Sequence, residues 1–305
     1  MDYYILSIES TENGKRIKIS LFLIVVILII ITALLGVGFA LITNNKSAAK
    51  GLEENPAYAQ IIDELPEEQI EQEPEVIPEE PKLPVLTEEG RNKFNNIYNS
   101  EERIAYLTFD DGPSKAVTPL ILDVLKANNI PATFFVLGSR VKTNPDLVKR
   151  AYDEGHYIAN HGYSHVYKDI YSSKEAVLTE YNHTESEIKN ALGLEDYNSH
   201  IFRFPGGSVG NKQYATVKNE AKQFLAECGI MYIDWNSLNG DSEGKNTKEA
   251  LLQQLHYTTE NKGNVLVVLL HDGSDKILTA ETLQDCINML IDKGYTFRNF
   301  YDIMQ

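Results

Sequence analysis

The sequence predicts a parallel α/β fold, a barrel or incomplete barrel, over the last two thirds of the chain. Three observations lead there. Short apolar runs alternate with stretches of helical periodicity between 101 and 305, the pattern of strands joined by crossover helices. Seven such runs can be counted, at 104–109, 132–137, 157–159, 201–204, 231–235, 265–270 and 295–297. Titratable side chains stand at the ends of these runs, as in barrels that gather an active site at the C-terminal strand ends.

Three segments precede this region. Residues 20–42 are 23 residues without a charge, mostly Ile, Val and Leu. At about 1.5 Å per residue, a helix of that length spans the ~30 Å hydrocarbon core of a bilayer. A buried core helix would show a polar stripe, and a signal peptide has a shorter apolar region. A retained transmembrane anchor is expected over 20–42. Lys15, Arg16 and Lys18 stand before it, and Lys46 and Lys50 after it. That bias places residues 1–19 in the cytoplasm and the C-terminal part outside, in a single-pass membrane protein. Residues 43–97 carry six prolines, and thirteen acids against one base lie between Glu53 and Glu89. Like charges repel and prolines favour extended backbone, so 43–97 is expected to be a disordered, acidic spacer. It carries most of the net charge of −16, which argues against a nucleic-acid partner. No obligate protein partner is evident.

Helical periodicity at 118–128, 145–154, 174–192, 213–227, 247–259 and 278–293 fills the gaps between strands. Cys228 and Cys286 lack Cys-x-x-Cys spacing, so a cysteine-based zinc site is excluded, and two buried free thiols are expected in preference to a bridge.

The first run ends in Asp110-Asp111-Gly112-Pro113. Two adjacent carboxylates repel, and burying both without a cation is costly; a solvated turn is the bland alternative. After the third run, His161 and His165 share a face if the backbone turns helically. Two imidazoles and one carboxylate leave open positions on a cation for water and substrate. Bound water would then ionise near neutral pH, with the second carboxylate free as a base. Arg203, at the fourth run, could hold that base ionised. His271, at the end of the sixth, could act as a general acid.

The motifs Thr108-Phe109-Asp110-Asp111-Gly112-Pro113, Asn160-His161-Gly162-Tyr163-Ser164-His165, Arg203-Phe204-Pro205-Gly206-Gly207 and Leu269-Leu270-His271 together resemble the NodB-like polysaccharide deacetylases, carbohydrate esterase family four. The resemblance covers about residues 98–305 and implies an irregular (β/α)7 barrel. It implies Asp111, His161 and His165 as metal ligands, Asp110 as general base, Arg203 as the residue positioning that base, and His271 as general acid. It further implies Leu269 against the acetyl methyl, and a backbone N–H near Gly206 for the oxyanion. The cofactor it implies is a divalent ion, Zn²⁺ first, with Co²⁺ or another divalent ion as alternatives.

The sequence departs from the family pattern in three places. Gly162 stands where Ser or Thr is usual, which puts loop rigidity in doubt. Gly206 stands where an aromatic is frequent. The usual Asp-Trp pair has two placements: Asp234-Trp235 directly, with Trp235 walling the pocket, or Asp241 with Ser242 replacing the tryptophan. Asp241 is preferred, because Trp235-Asn236 reads as the step before the motif. With an anchor and spacer, the resemblance implies N-deacetylation of a cell-wall polymer, peptidoglycan N-acetylglucosamine first. O-deacetylation of a xylan-type polymer and a silent carbohydrate-binding module are the alternatives.

Overall fold

The computed structural model describes residues 7–12, 15–20, 82–260 and 262–304. The expected anchor beyond Ser20 and the spacer up to residue 81 lie outside the described residues. Among the described residues, no helix is long and apolar enough to cross a membrane. The chain divides into two units, Met1–Glu79 and Glu80–Gln305. In the first, β1 (Ser7–Glu12) pairs antiparallel with β2 (Lys15–Ser20).

The second unit is built on one parallel sheet. Its strands are β3 (Ile104–Asp110), β4 (Thr133–Val136), β5 (Tyr157–Asn160), β6 (Ile201–Phe202), β7 (Met231–Tyr232), β8 (Ser237–Leu238), β9 (Val265–His271) and β10 (Thr296–Phe297). The order across the sheet is β7-β6-β5-β4-β3-β9-β8, and β10 pairs with the start of β3. Among the described residues β7 and β8 do not pair, so the sheet is a curled half-barrel. The sequence pattern gave seven strands because β8 is two residues inside a polar stretch, with no apolar run to mark it.

Helices α2 (Thr118–Ala127), α4 (Pro145–Asp153), α6 (Lys174–Leu192), α7 (Ala215–Glu227), α8 (Lys248–Thr259) and α9 (Ile277–Asp292) match the expected periodicities. The short α3 (Gly138–Thr143) and α5 (Tyr167–Ile170) were not expected; neither is long enough to show a period.

Strand parity positions the site. Side chains alternate faces along a strand, and the core divides accordingly. Ala105, Leu107, Phe109, Ile158, Leu266, Val268 and Leu270 face the helix layer. Ile104, Tyr106, Tyr157, Ala159, Ile201, Val265 and Val267 face the concave interior. Continuing the inner register puts Thr108 and Asp110, His161, Arg203, and Leu269 and His271 on that same concave face. Adjacent strands hold these residues level, with Asp110 in register with His271.

The spacer expected to reach residue 97 ends earlier. Thr87 caps α1 (Glu88–Asn95), its hydroxyl accepting from Gly90 N at 3.0 Å. Phe94 and Ile97, 5% and 8% exposed, pack into the inner core, where Phe94 meets Phe300 at 6.0 Å between centroids. The sequence hides this because single apolar anchors are dispersed among charged and amide residues. Cys228 and Cys286 are both free, but Cys228 is exposed, contrary to the expectation of two buried thiols.

The packing predicts that Phe94→Ala costs the 80–305 unit roughly 3–5 kcal/mol, the usual range for a buried phenylalanine. Urea unfolding would show this as a lowered midpoint at constant slope. An unchanged midpoint would mean that α1 is not part of the cooperative unit.

Candidate active site

Arg203 follows β6 and is fully buried. Its Nη1 donates to Thr108 Oγ1 at 2.7 Å and to Asp110 Oδ1 at 2.8 Å. Nε donates to the Ile233 carbonyl at 3.1 Å and Nη2 to the Asp234 carbonyl at 3.2 Å. The guanidinium lies 3.9 Å from the Phe135 ring centre. A buried ion pair is tolerated when its remaining donors find partners, and here each guanidinium nitrogen has at least one. Thr108 relays the support by donating to the Val268 carbonyl at 2.7 Å. Asp110 is therefore buried with one carboxylate oxygen committed to Arg203, while Oδ2 points toward His161 Nε2 at 3.7 Å.

Asp111 takes a left-handed backbone, φ +75°. Its Oδ1 is 3.6 Å from His161 Nε2 and 3.3 Å from His165 Nε2. That oxygen is buried and has no hydrogen-bond partner among the described residues. The three residues offer ligand atoms all within 4.8 Å of one another. His161 Nδ1 lies 2.8 Å from the Arg203 carbonyl, which assigns the ring proton to Nδ1 and leaves Nε2 a lone pair. Burial lowers the His161 pKa against the opposing charges of Asp110 and Asp111, keeping the ring neutral. Burial pushes the Asp111 carboxyl up, but His161, His165, His271 and Arg140 together hold it below the usual range. An orphaned carboxylate oxygen and two Nε2 atoms converging on one point form a donor set that fits a single divalent cation.

His271 closes the far side. Its Nδ1 is 2.7 Å from Asp241 Oδ1, and its backbone N donates to Asp241 Oδ2 at 2.9 Å. Thr279 Oγ1 also donates to Oδ2, at 2.7 Å. Burial pulls the imidazole down, but the bond and charge of Asp241, with Asp110 and Asp111, outweigh it and hold His271 at about 9. The carboxylate of Asp234 is engaged elsewhere: it accepts from Ser208 N and Oγ, at 2.8 and 2.6 Å, and so braces the loop after Gly207.

The remaining expected residues line the rim. Leu269 is buried in register with Thr108 and Leu238. Gly206 is exposed at φ +70°. The Trp235 ring covers Gly207, lying 3.1 Å from where a Cβ there would stand, and sits 5.8 Å from the Arg203 guanidinium.

Further residues support the site, and Glu180 among them carried no sequence signal. Glu180 of α6 accepts from Tyr163 N and Ser164 N, both at 2.7 Å, and from Ser164 Oγ at 2.8 Å. Gly162 N donates to Asn160 Oδ1 at 2.9 Å. The histidine loop is thus fixed without a hydroxyl at position 162. Asp272 is buried beneath the Asp111 turn, where a Cβ on Gly112 would collide with its carboxylate. Burial, opposed by the Thr118 hydrogen bond and aided by Asp111 and Asp110, raises Asp272 to about 7.

A curled parallel sheet that presents paired aspartates, paired histidines and an acid-poised histidine at its strand ends has the architecture of a hydrolytic α/β domain. Residues 98–230 match the family described as polysaccharide deacetylase. The peptidoglycan-N-acetylmuramic acid deacetylase PdaA of Bacillus subtilis is 32% identical over 215 residues, 70% of this chain and 76% of that protein. Among solved structures, a Streptococcus mutans CE4 esterase is similar at TM-score 0.62 and 32% identity, over 68% of this chain and 90% of that one. The catalytic domain of a peptidoglycan N-acetylglucosamine deacetylase from Eubacterium rectale is similar at TM-score 0.59 and 34% identity, over 66% and 90%. The chain belongs to the polysaccharide deacetylase family.

A raised histidine pKa has a definite sign. Relative to an unfolded value near 6.5, the charged His271 stabilises the fold fully below that pH, and the contribution is lost as pH rises through about 9. Ring NMR of the metal-free 80–305 unit should show His271 titrating near pH 9, and Asp241→Asn should move that midpoint down. A midpoint near 6.5 in the unsubstituted protein would contradict the assignment.

Proposed function

We propose that this chain is a metal-dependent deacetylase that hydrolyses N-acetyl groups of peptidoglycan, N-acetylglucosamine first, with its catalytic unit outside the cell membrane. The carrying observation is that two adjacent carboxylates have different partners: Asp110 is ion-paired with buried Arg203, while Asp111 Oδ1 stands between the Nε2 atoms of His161 and His165. Asp111, His161 and His165 would hold the ion, Zn²⁺ or Co²⁺. When bound, a divalent cation polarises the acetyl carbonyl and acidifies water at neutral pH.

The protein side chains supply the remaining roles. Asp110, paired with Arg203, accepts the proton of the attacking water through the oxygen that Arg203 leaves free. The backbone N–H near Gly206 donates to the developing oxyanion. His271, charged through Asp241, donates its proton to the departing sugar amine. Leu269 packs against the acetyl methyl, and Trp235 walls the sugar site. Asp241 keeps the imidazole oriented and protonated without itself reacting.

The named activities of the relatives support a peptidoglycan substrate: PdaA for N-acetylmuramic acid and the Eubacterium rectale enzyme for N-acetylglucosamine. The uncharged stretch at 20–42 and its N-terminal basic cluster support an extracytoplasmic placement next to that polymer. A silent binding module would not need all of Asp110, Asp111, His161, His165 and His271, which this chain retains.

The 80–305 unit with Zn²⁺ or Co²⁺ should release acetate from N-acetylglucosamine oligomers or peptidoglycan. Acetate from acetylated xylan and from no N-acetylated polymer would overturn the substrate assignment in favour of an O-acetyl esterase. Glycan binding without turnover under either metal would overturn the enzymatic reading itself.

A further inference from the structure

We infer that Tyr167 is a substrate-binding residue, whose ring and free hydroxyl form the wall that receives the acetamido sugar between the histidine loop and the Pro205–Gly207 turn. The inference rests on the deacetylase reading and adds a sugar-contacting residue to it.

The position comes from two neighbours. Tyr167 opens α5, two residues after His165, and the two rings stand 5.5 Å apart between centroids. On its other side the phenol reaches Gly206, where any Cβ would collide with the Tyr167 hydroxyl. The side chain therefore bridges the cation-binding loop and the turn that carries the oxyanion N–H. Its ring is packed edge-on by Tyr171 and Tyr214, at 5.7 and 6.2 Å, and remains half-exposed.

Supporting the turn does not account for it, because other residues already do so. Tyr171 Oη donates to the Pro205 carbonyl at 2.6 Å. The buried Lys218 donates to the Gly207 carbonyl at 2.6 Å and to Pro205 at 3.4 Å. Gly207 N donates to Phe204 O at 2.7 Å, and Ser208 is held by Asp234. Against this, the Tyr167 hydroxyl has no hydrogen-bond partner among the described residues. A fixed aromatic with an unengaged hydroxyl beside a hydrolytic centre matches a sugar ring, which offers a C–H face and a rim of hydroxyls. The left-handed glycine at 206 leaves the space that Tyr167 occupies.

The test compares Tyr167→Phe and Tyr167→Ala in the 80–305 unit with Zn²⁺. The measurements are bound zinc, kcat and KM on an N-acetylglucosamine oligomer, turnover of a sugar-free aryl acetate, and oligomer binding by NMR titration. Expected are unchanged zinc and aryl acetate turnover in both variants. The oligomer KM and binding constant should weaken about three- to tenfold in Tyr167→Phe, the value of one hydrogen bond, and further in Tyr167→Ala. Unchanged oligomer KM and binding in both variants would overturn the inference. So would a parallel fall in zinc, aryl acetate and oligomer turnover, the signature of a structural prop. Should the unsubstituted protein bind the oligomer but release no acetate, the deacetylase reading fails. The Tyr167 contact is then judged by binding alone.

Discussion

The ion pair between Arg203 and Asp110 is the interaction on which the rest of the site depends. Arg203 fills the interior of the half-barrel, and its donors reach β3 through Thr108 and Asp110 and the segment after β7 through the Ile233 and Asp234 carbonyls. Removing one member of such a pair leaves a buried charge uncompensated, at a cost of roughly 3–5 kcal/mol. The pair also gives the two neighbouring carboxylates different partners. Asp110 is held on the concave face by strand parity and neutralised by Arg203. Asp111, on a left-handed backbone, keeps a carboxylate oxygen with no hydrogen-bond partner among the described residues.

The dependence extends through the backbone of the same residue. The Arg203 carbonyl accepts a hydrogen bond from His161 Nδ1, so one residue both pairs with Asp110 and fixes the tautomer of His161. Across the sheet, Asp241 does the equivalent for His271, with the opposite electrostatic result. His161, buried with its Nδ1 on a neutral carbonyl, is kept uncharged, whereas His271, paired with a carboxylate, is kept charged. Burial outweighs the charges of Asp110 and Asp111 at His161, whereas the bond and charge of Asp241 outweigh burial at His271.

Much of this arrangement was legible in the sequence, for identifiable reasons. β3 and β9 are buried on both faces and read as continuous apolar runs, so the residues at their ends could be located by inspection. Asp110, Asp111, His161, His165, Arg203 and His271 converge as their strand-end positions implied. The choice between Asp234 and Asp241 was open in the sequence because Asp234-Trp235 reads as the pair directly while Trp235-Asn236 reads as the step before Asp241; in the structure it is Asp241 that bonds His271. The residues that escaped notice act across long separations from helices or loops. Glu180 holds the histidine loop from α6, Lys218 holds the Pro205–Gly207 turn from α7, and Tyr167 occupies the space above Gly206. None stands at a strand end or repeats with a period, so no local pattern marks them. α1 escaped for a related reason: Phe94 and Ile97 are isolated apolar residues in an acidic, amide-rich stretch.

The division of labour between the two aspartates is tested most directly by counting metal in purified Asp110→Asn and Asp111→Asn variants of the 80–305 unit. Mass spectrometry under native conditions, or elemental analysis after dialysis against a zinc buffer, reads the stoichiometry. The account predicts one ion per chain in the unsubstituted protein, one in Asp110→Asn with turnover abolished, and none in Asp111→Asn. An ion retained in Asp111→Asn and lost in Asp110→Asn would contradict it and exchange the roles of the two residues.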